Sequence, residues 1–521
     1  MATKTDLGVL GKRGKFARMN FTPIVRPYFA PRIRVCSQWA EHTETVQRNQ
    51  LRLLLKAGQK TEFGQKYGFD TIRSYEQWAE TMPLMPYSEL RPWIMRMVAG
   101  ERDILWPGQT RRFAQSSGTS DGRSKYIPIT QDSLQKCHYR GGADVVAHYL
   151  HLYPDSRLFS GKSFILGGSF ANELSLAPGV KVGDLSANLI EAINPLANMV
   201  RIPDKKTALM TDWAEKLPAL IKASAHQNVT NISGVPSWFL TVLKGILELT
   251  GASSIHDVWP NLEVFFHGGI SFEPYREQYR SITDPAKMRY LETYNASEGF
   301  FAVQDRIDSH AMLLLLDLGI FFEFMPIDQC DSPTPEMLPA WKVEPGHTYA
   351  LVITANNGLW RYPIGDTVTV ESVNPLRITI AGRTKNYINA FGEELMVHNA
   401  DAALTATCTR LNCSVRDYTA APVYAGNHSR GRHQWLIEFD HAPESVDLFA
   451  RTLDDNLRKE NSDYDAKRSH GLFLDPLSVT VAKPGLFDQW LASTGKLGGQ
   501  RKVPRLSNDR RIIEAMLKMN R

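Results

Sequence analysis

Apolar residues along this chain recur first at helical spacing, then in short runs, and then in alternation with polar ones. Residues 38–57, 87–97 and 131–150 carry the helical spacing, and 38–57 is rich in good helix formers. Short apolar runs follow at 163–166, 231–233, 262–266 and 288–294, each leading towards Gly, Asn or Ser. Helical stretches at 212–225 and 237–249 separate them. Strand, loop, helix, strand predicts an α/β domain with a largely parallel sheet, whose ligands sit beyond the carboxyl ends of the strands. From 321 to 380 the pattern becomes strand-rich, and 348–354 and 367–373 alternate as half-exposed antiparallel strands do. After Arg383 the texture changes again: 436–439, 448–460 and 477–481 predict a small α+β module. Its stretch 493–511 is dense in Gly, Lys and Arg, and is expected to be irregular or mobile. The expected organisation is a large α/β N-terminal domain with mixed sheets and a β-rich subdomain over 1–382, then a small α+β domain over 383–521.

The length of 521 residues allows two or three domains, and 43% hydrophobic with 22% charged residues is ordinary for a globular protein. A net charge of +5 does not call for nucleic acid, though it leaves room for a basic cleft. Cys36, Cys137, Cys330, Cys408 and Cys413 are scattered without a CxxC pair, so neither a disulfide framework nor a zinc site is supported. A reducing cytoplasm is the expected location. No run approaches the roughly 20 apolar residues of a membrane span. Residues 311–322 are interrupted by Asp317 and Gly319 and read as adjacent buried strands. The basic N-terminus (Lys4, Lys12, Arg13, Lys15) has no apolar signal core behind it. Residues 24–35, with Arg26, Arg32, Arg34, aromatic residues and prolines, read as a folded N-terminal arm in preference to a membrane-surface segment.

Chemistry concentrates in residues 115–128, QSSGTSDGRSKYIP. Small residues let backbone N–H groups approach an oxyanion, hydroxyls add donors, and Lys125 adds a point charge. This fits a nucleotide phosphate loop, although it is neither Gly-x-x-x-x-Gly-Lys-Ser/Thr nor Gly-x-Gly-x-x-Gly. Four more segments share its character. TYNASEG at 293–299 follows a strand and offers Tyr294 as a flat face for a base, Ser297 as a phosphate donor and Glu298 as a hard oxygen for Mg²⁺. GLWRYPIGD at 358–366 supplies Asp366, a carboxylate able to accept both hydroxyls of a ribose. AGRTKNYINAFGEE spans 381–394 and GQRKVPR spans 499–505.

In this order the segments resemble the adenylate-forming superfamily of acyl-CoA synthetases, nonribosomal adenylation domains and luciferases. Their finer wording, with HGGISFEPYREQY, YNASEGFF, GLWRYPIGD, INAFGEEL and GQRKVPRL, resembles the Gretchen Hagen family of acyl acid amido synthetases from about Trp39 to Arg511. The resemblance implies a large domain binding ATP and an acyl acid, and a small domain that pivots over it. It implies that Ser116, Ser117, Gly118, Thr119 and Ser120 cradle the β- and γ-phosphates beside Lys125. Tyr294 would stack on adenine, Ser297 would contact the α-phosphate, Glu298 would ligate Mg²⁺ and Asp366 would hold the ribose. Arg383 matches the hinge and a further ribose contact. Lys502 matches the late lysine that bridges carboxylate and α-phosphate, and Lys496, in TGKLG, is the competing candidate. The chain is shorter than the plant members and looks like a bacterial relative, so their substrates are not carried over.

The reaction so implied joins a carboxylic acid to an amino acid or other amine. A carboxylate attacking the α-phosphorus meets another anion, and Mg²⁺ with a lysine offsets that charge. No catalytic histidine is required; His267 either approaches the ligand or serves structure. Gly268, Gly269 and Ile270 could let adenine lie close to the backbone. Val235, Trp238, Phe239 and Val242 are candidates for the apolar acyl wall, with plain helix-to-sheet packing as the other reading. Asp121 stands where many relatives have Gly. An acid–CoA ligase is the alternative, and a carrier-loading module or a non-catalytic binding protein are further ones; the expected assembly is a monomer.

Overall fold

The computed structural model describes residues 19–116, 125–383, 387–424, 430–469, 474–493 and 503–521, apart from Ala171, Glu173, Ser175, Ser271, Glu273, Pro274, Asp331 and Pro333. Its centre is a twelve-stranded sheet that changes character halfway across. Arg201–Ile202, Lys162–Ile165, Val229–Gly234, Val264–His267 and Arg289–Ala296 are parallel neighbours. Arg289–Ala296 then turns back into Gly299–Gln304, and every further pairing is antiparallel, through Met312–Leu314, Leu376–Arg383, Tyr362–Val373, Thr348–Ala355, Ile320–Pro326 and Leu338–Pro339. The parallel half has the expected α/β alternation: Trp213–Ser224, N-capped by the Asp212 carboxylate on the Ala214 amide, precedes one strand and Pro236–Thr250 follows it. Gly251, at φ +67°, ends the latter helix as a left-handed C-cap.

A separate three-stranded sheet holds Arg112–Ser116 between Lys125–Pro128, antiparallel, and Lys181–Gly183, parallel. The expected half-exposure of 348–354 does not hold: Thr348–Ala355 is buried from Tyr349 onwards. It lies inside the sheet, between Ile320–Pro326 and Tyr362–Val373, with both faces buried. Residues 311–322 split as expected into Met312–Leu314 and Ile320–Pro326, with Gly319 at φ +73° in the turn. Helical spacing at 131–150 is realised as a π-helical turn, Ser133–His138, leading into the α-helix Tyr139–Leu152.

Residues 24–35 belong to a long helix, Thr22–Gly58, bent at His42. Their basic residues are used inside the fold: Arg26 donates to the Pro154 carbonyl at 2.8 Å, and Arg32 holds Asp144 and Asp317 at 2.6 Å each. Among the described residues no helix is long and apolar enough to cross a membrane. A second buried ion pair anchors the antiparallel half. Glu323 is wholly buried and accepts from Arg361 at 3.1 Å, Trp78 Nε1 at 3.3 Å and the Tyr75 hydroxyl at 3.3 Å.

The C-terminal module packs the helices Val397–Leu411 and Val446–Glu460 on a sheet of Ser414–Val423, Arg432–His441 and Ser478–Val481. Much of the expected irregular stretch at 493–511 lies outside the described residues, and 503–510 is tied down, with Leu506 bridged to Ala420. The helix Arg511–Met519 was not anticipated; Ile513 and Met516 bury against Leu486 and Trp490.

Removing Glu323 strands the Arg361 guanidinium in the core. Glu323→Ala is expected to lower the unfolding free energy by about 3–5 kcal/mol. Urea denaturation followed by tryptophan fluorescence checks this, and a loss under about 1 kcal/mol would contradict the anchoring role.

Candidate functional site

Two adjacent parallel strands deliver their carboxyl ends to one place. Val264–His267 pairs with Arg289–Ala296 with His267 opposite Glu292, and the Thr293 hydroxyl donates to the His267 carbonyl at 3.1 Å. The chain then turns tightly against Thr293: a Cβ on Gly268 would lie 2.4 Å from the Thr293 carbonyl oxygen. Gly269 follows at φ +83°, where glycine is at ease. His267 stacks on Phe272 with ring centres 4.4 Å apart. Both border a cavity of about 870 Å³ together with Gly268, Gly269 and Ile270.

The opposite wall comes from the hairpin that begins the antiparallel half. Ala296 faces Gly299, so Ser297 and Glu298 form its two-residue turn. The Asn357 amide donates to the Glu298 carbonyl at 2.9 Å, fixing the turn, and the Glu298 side chain is 7% exposed. Tyr294, Ser297 and Glu298 all line the cavity. The Tyr294 hydroxyl donates to Asp366 Oδ2 at 2.6 Å, and its ring packs on Phe301 at 4.8 Å. Asp366 also lines the cavity and stands opposite Arg383 in the next strand, whose neighbour Gly382 reaches the same space.

A third wall is the small sheet. Ser116 pairs with Lys125 across the hairpin Arg112–Ser116 and Lys125–Pro128, and both residues border the cavity. Lys125 Nζ donates to the Tyr362 hydroxyl at 3.0 Å and lies 5.8 Å from the Tyr87 ring centre. Ser117, Gly118, Thr119, Ser120 and Asp121 lie outside the described residues, as do Lys496 and Lys502. Directly after Lys502, the Pro504 carbonyl accepts from Thr419 at 2.7 Å and Arg505 pairs with Asp401 at 2.6 Å.

The four acyl-wall candidates are not on this cavity. Phe239 and Val242 are fully buried, with Phe239 edge-on to Phe164 at 5.2 Å and near Phe265 at 5.5 Å. Helix-to-sheet packing accounts for them, because their helix must cover the parallel strands. Val235 approaches from behind, its Cγ2 3.5 Å from where a Gly269 Cβ would be. Trp238 faces away, 5.6 Å from Trp213 and 4.0 Å from Lys467 Nζ. The cavity gains instead a face from the C-terminal module: Tyr387, Asn389 and Glu394 from the 381–394 segment, with Tyr424 and Asn508, which the motifs did not indicate. Asn508 Oδ1 accepts the Asn389 amide at 2.7 Å and its carbonyl accepts from Tyr424 at 3.3 Å. Burial and the nearby Glu393 charge push the Tyr424 hydroxyl well above its ordinary pKa, so it is a neutral donor. Tyr424 and Asn508 are distant in sequence from the motifs and carry no local signature.

Comparison with known proteins gives the family. The chain matches the GH3 family N-terminal domain over residues 32–288, the GH3 family central domain over 313–383 and the GH3 family C-terminal domain over 398–511. It is 23% identical to the indole-3-acetic acid-amido synthetase GH3.3 of Arabidopsis thaliana, over 93% of each chain. It is 21% identical to the 4-substituted benzoates-glutamate ligase GH3.12 of the same plant, over 91% of this chain and 95% of that one. Among solved structures, the AtGH3.15 acyl acid amido synthetase in complex with 2,4-DB superposes with a TM-score of 0.61 at 17% identity, covering 94% of this chain and 95% of that one. A 2-hydroxyisobutyryl-CoA ligase, in complex with 2-HIB-AMP and CoA, gives a TM-score of 0.52 at 14% identity over 92% of both chains. With all three domains matched in order from residue 32 to residue 511, the chain belongs to the GH3 family, the Gretchen Hagen family whose motifs it carries.

Proposed function

We propose that this protein is an ATP-dependent acyl acid amido synthetase, which adenylates a carboxylic acid and passes the acyl group to an amino acid or other amine. The observation that carries the reading is the convergence of Ser116, Lys125, Gly268, Gly269, Tyr294, Ser297, Glu298 and Asp366 on one cavity of about 870 Å³. They come from four separate sequence segments. The relatives' names as amido synthetases and amino-acid ligases support the same chemistry.

The residues present suit ATP. The bare backbone at Gly268 and Gly269 gives a base a close surface, with the Tyr294 ring on the same cavity. A carboxylate has about four acceptor positions, and Tyr294 takes one on Asp366, orienting it towards ribose hydroxyls. Lys125 and Ser116, both on the cavity, would face the phosphates. Mg²⁺ prefers one or two carboxylates together with substrate phosphates. Glu298 offers one such carboxylate, and no group of three or more His, Cys, Asp or Glu suited to a metal occurs among the described residues. A metal entering with the nucleotide fits this donor set, where it would supply charge neutralisation at the phosphates.

Ser297 would orient the α-phosphate for attack by the acid. Lys502 would bridge the acid's carboxylate and that phosphate, stabilising charge that develops in the transition state. Ser117, Gly118, Thr119 and Ser120 would hold the departing pyrophosphate. Transfer to the amine expels AMP, and the small domain over 383–521 would pivot on Arg383 between the two steps. An acid–CoA ligase shares the first step, and the fold likeness to the 2-hydroxyisobutyryl-CoA ligase keeps it as the second reading.

A panel of acids assayed for pyrophosphate release, with and without amino acids and CoA, separates the two readings. AMP release that needs CoA and ignores every amine would overturn the amide reading. Lys502→Ala is expected to reduce acid-dependent pyrophosphate exchange by about 10²–10³-fold with unchanged circular dichroism; unimpaired exchange would move the role to Lys496. Glu298→Gln is expected to raise the Mg²⁺ concentration for half-maximal rate by about tenfold, roughly one lost charged ligand interaction. Titrating Mg²⁺ at fixed ATP measures it, and an unshifted curve would remove Glu298 from the metal.

A further inference from the structure

The contact between the two modules contains a buried cluster that takes no part in the cavity wall. The helix Ser462–Arg468 of the C-terminal module sets the Lys467 ammonium 4.0 Å from the centre of the Trp238 ring in the N-terminal domain. Gly392, at φ +90°, passes beside both: a Cβ there would lie 3.3 Å from Lys467 Cε and 3.4 Å from Trp238 Nε1. Ser237 and Tyr275 of the N-terminal domain donate to the carbonyls of Phe391 and Ala390. The buried Glu393 accepts the Phe391 amide at 2.6 Å and faces His433 Nε2 at 2.7 Å, so the segment 389–394 is rigid where it is gripped. Lys467 is only 4% exposed. Burial lowers its pKa, and Asp463, Asp184, Glu393 and Glu394 oppose that by favouring the ammonium.

The contact also contains an opposing element. Trp238 Nε1 is buried with no hydrogen-bond partner among the described residues. Such a donor is destabilising, and water would satisfy it once 389–394 moved away. A cation over a partly buried indole favours docking, while the unmet donor favours release.

We propose that Lys467, Gly392 and Trp238 form a clasp that holds the C-terminal module in the orientation seen here, and that its strength sets the balance between adenylation and acyl transfer. The catalytic consequence rests on the amido synthetase reading; the clasp itself does not. These three are positioning residues, since none of them borders the cavity.

Hydrogen exchange of the full-length protein tests the clasp without any substrate. Lys467→Met keeps the side-chain length and removes the charge. It is expected to speed exchange of the amides at 389–396 and 236–242 by about tenfold, leaving 414–423 and 432–441 unchanged. Lys467→Arg should restore much of the protection, and Gly392→Ala, which drives a methyl between the two partners, should reproduce the loss. Unchanged exchange at 389–396 in both Lys467→Met and Gly392→Ala would overturn the clasp, as would faster exchange throughout the module. For the catalytic part, the ratio of acid-dependent pyrophosphate exchange to amide formation is expected to shift by about tenfold in Lys467→Met. A ratio equal to wild type overturns that part. Absence of both activities from the wild type would sink the amido synthetase reading, while hydrogen exchange would still decide the clasp.

Discussion

The pairing of one strand, Arg289–Ala296, governs the site. On one side it runs parallel to Val264–His267 and on the other antiparallel to Gly299–Gln304. The parallel side demands that both strands end at the same edge, which brings the turn at Gly268 against Thr293. The antiparallel side demands a tight reversal at that same edge, which puts Ser297 and Glu298 there. Sheets of this kind hold ligands where strand direction or order changes, because connections leave a crevice at such points.

Close approach then narrows the choice of residues. The Gly268 backbone lies so near Thr293 that any side chain would collide with it. Across the cavity, the Tyr294–Asp366 hydrogen bond joins two strands separated in the sheet by three others. Both partners are largely buried, Tyr294 at 5% and Asp366 at 8% exposure. In that low-dielectric setting a charged acceptor gives a strong hydrogen bond and fixes both groups in one geometry.

The C-terminal module completes the cavity without breaking into its floor. It contributes Tyr424, Asn508 and the 387–394 segment, and its apolar core is continuous with that behind the parallel strands. The grip on 389–394 is polar and aromatic, built from Ser237, Tyr275 and Trp238.

The sequence by itself determined the alternation that makes the parallel half, the change of texture near Arg383, and the segments 115–128, 293–299, 358–366 and 381–394, whose residues meet at the cavity. Those features are local: strand runs bury on two faces, Gly268 must have no side chain, and SSGTS or YNASEG concentrate donors within a few residues. Only the tertiary structure shows what the apolar candidates pack against. Phe239 and Val242 have the same composition as an acyl wall, but their helix faces the sheet, and burial depends on partners far along the chain. The same holds for Thr348–Ala355, whose alternating pattern gave no sign of a second covered face, and for Arg26 and Arg32, whose charges are matched by residues more than a hundred positions away. Periodicity fixes which side of an element is apolar; what stands opposite that side follows from the packing of the whole chain.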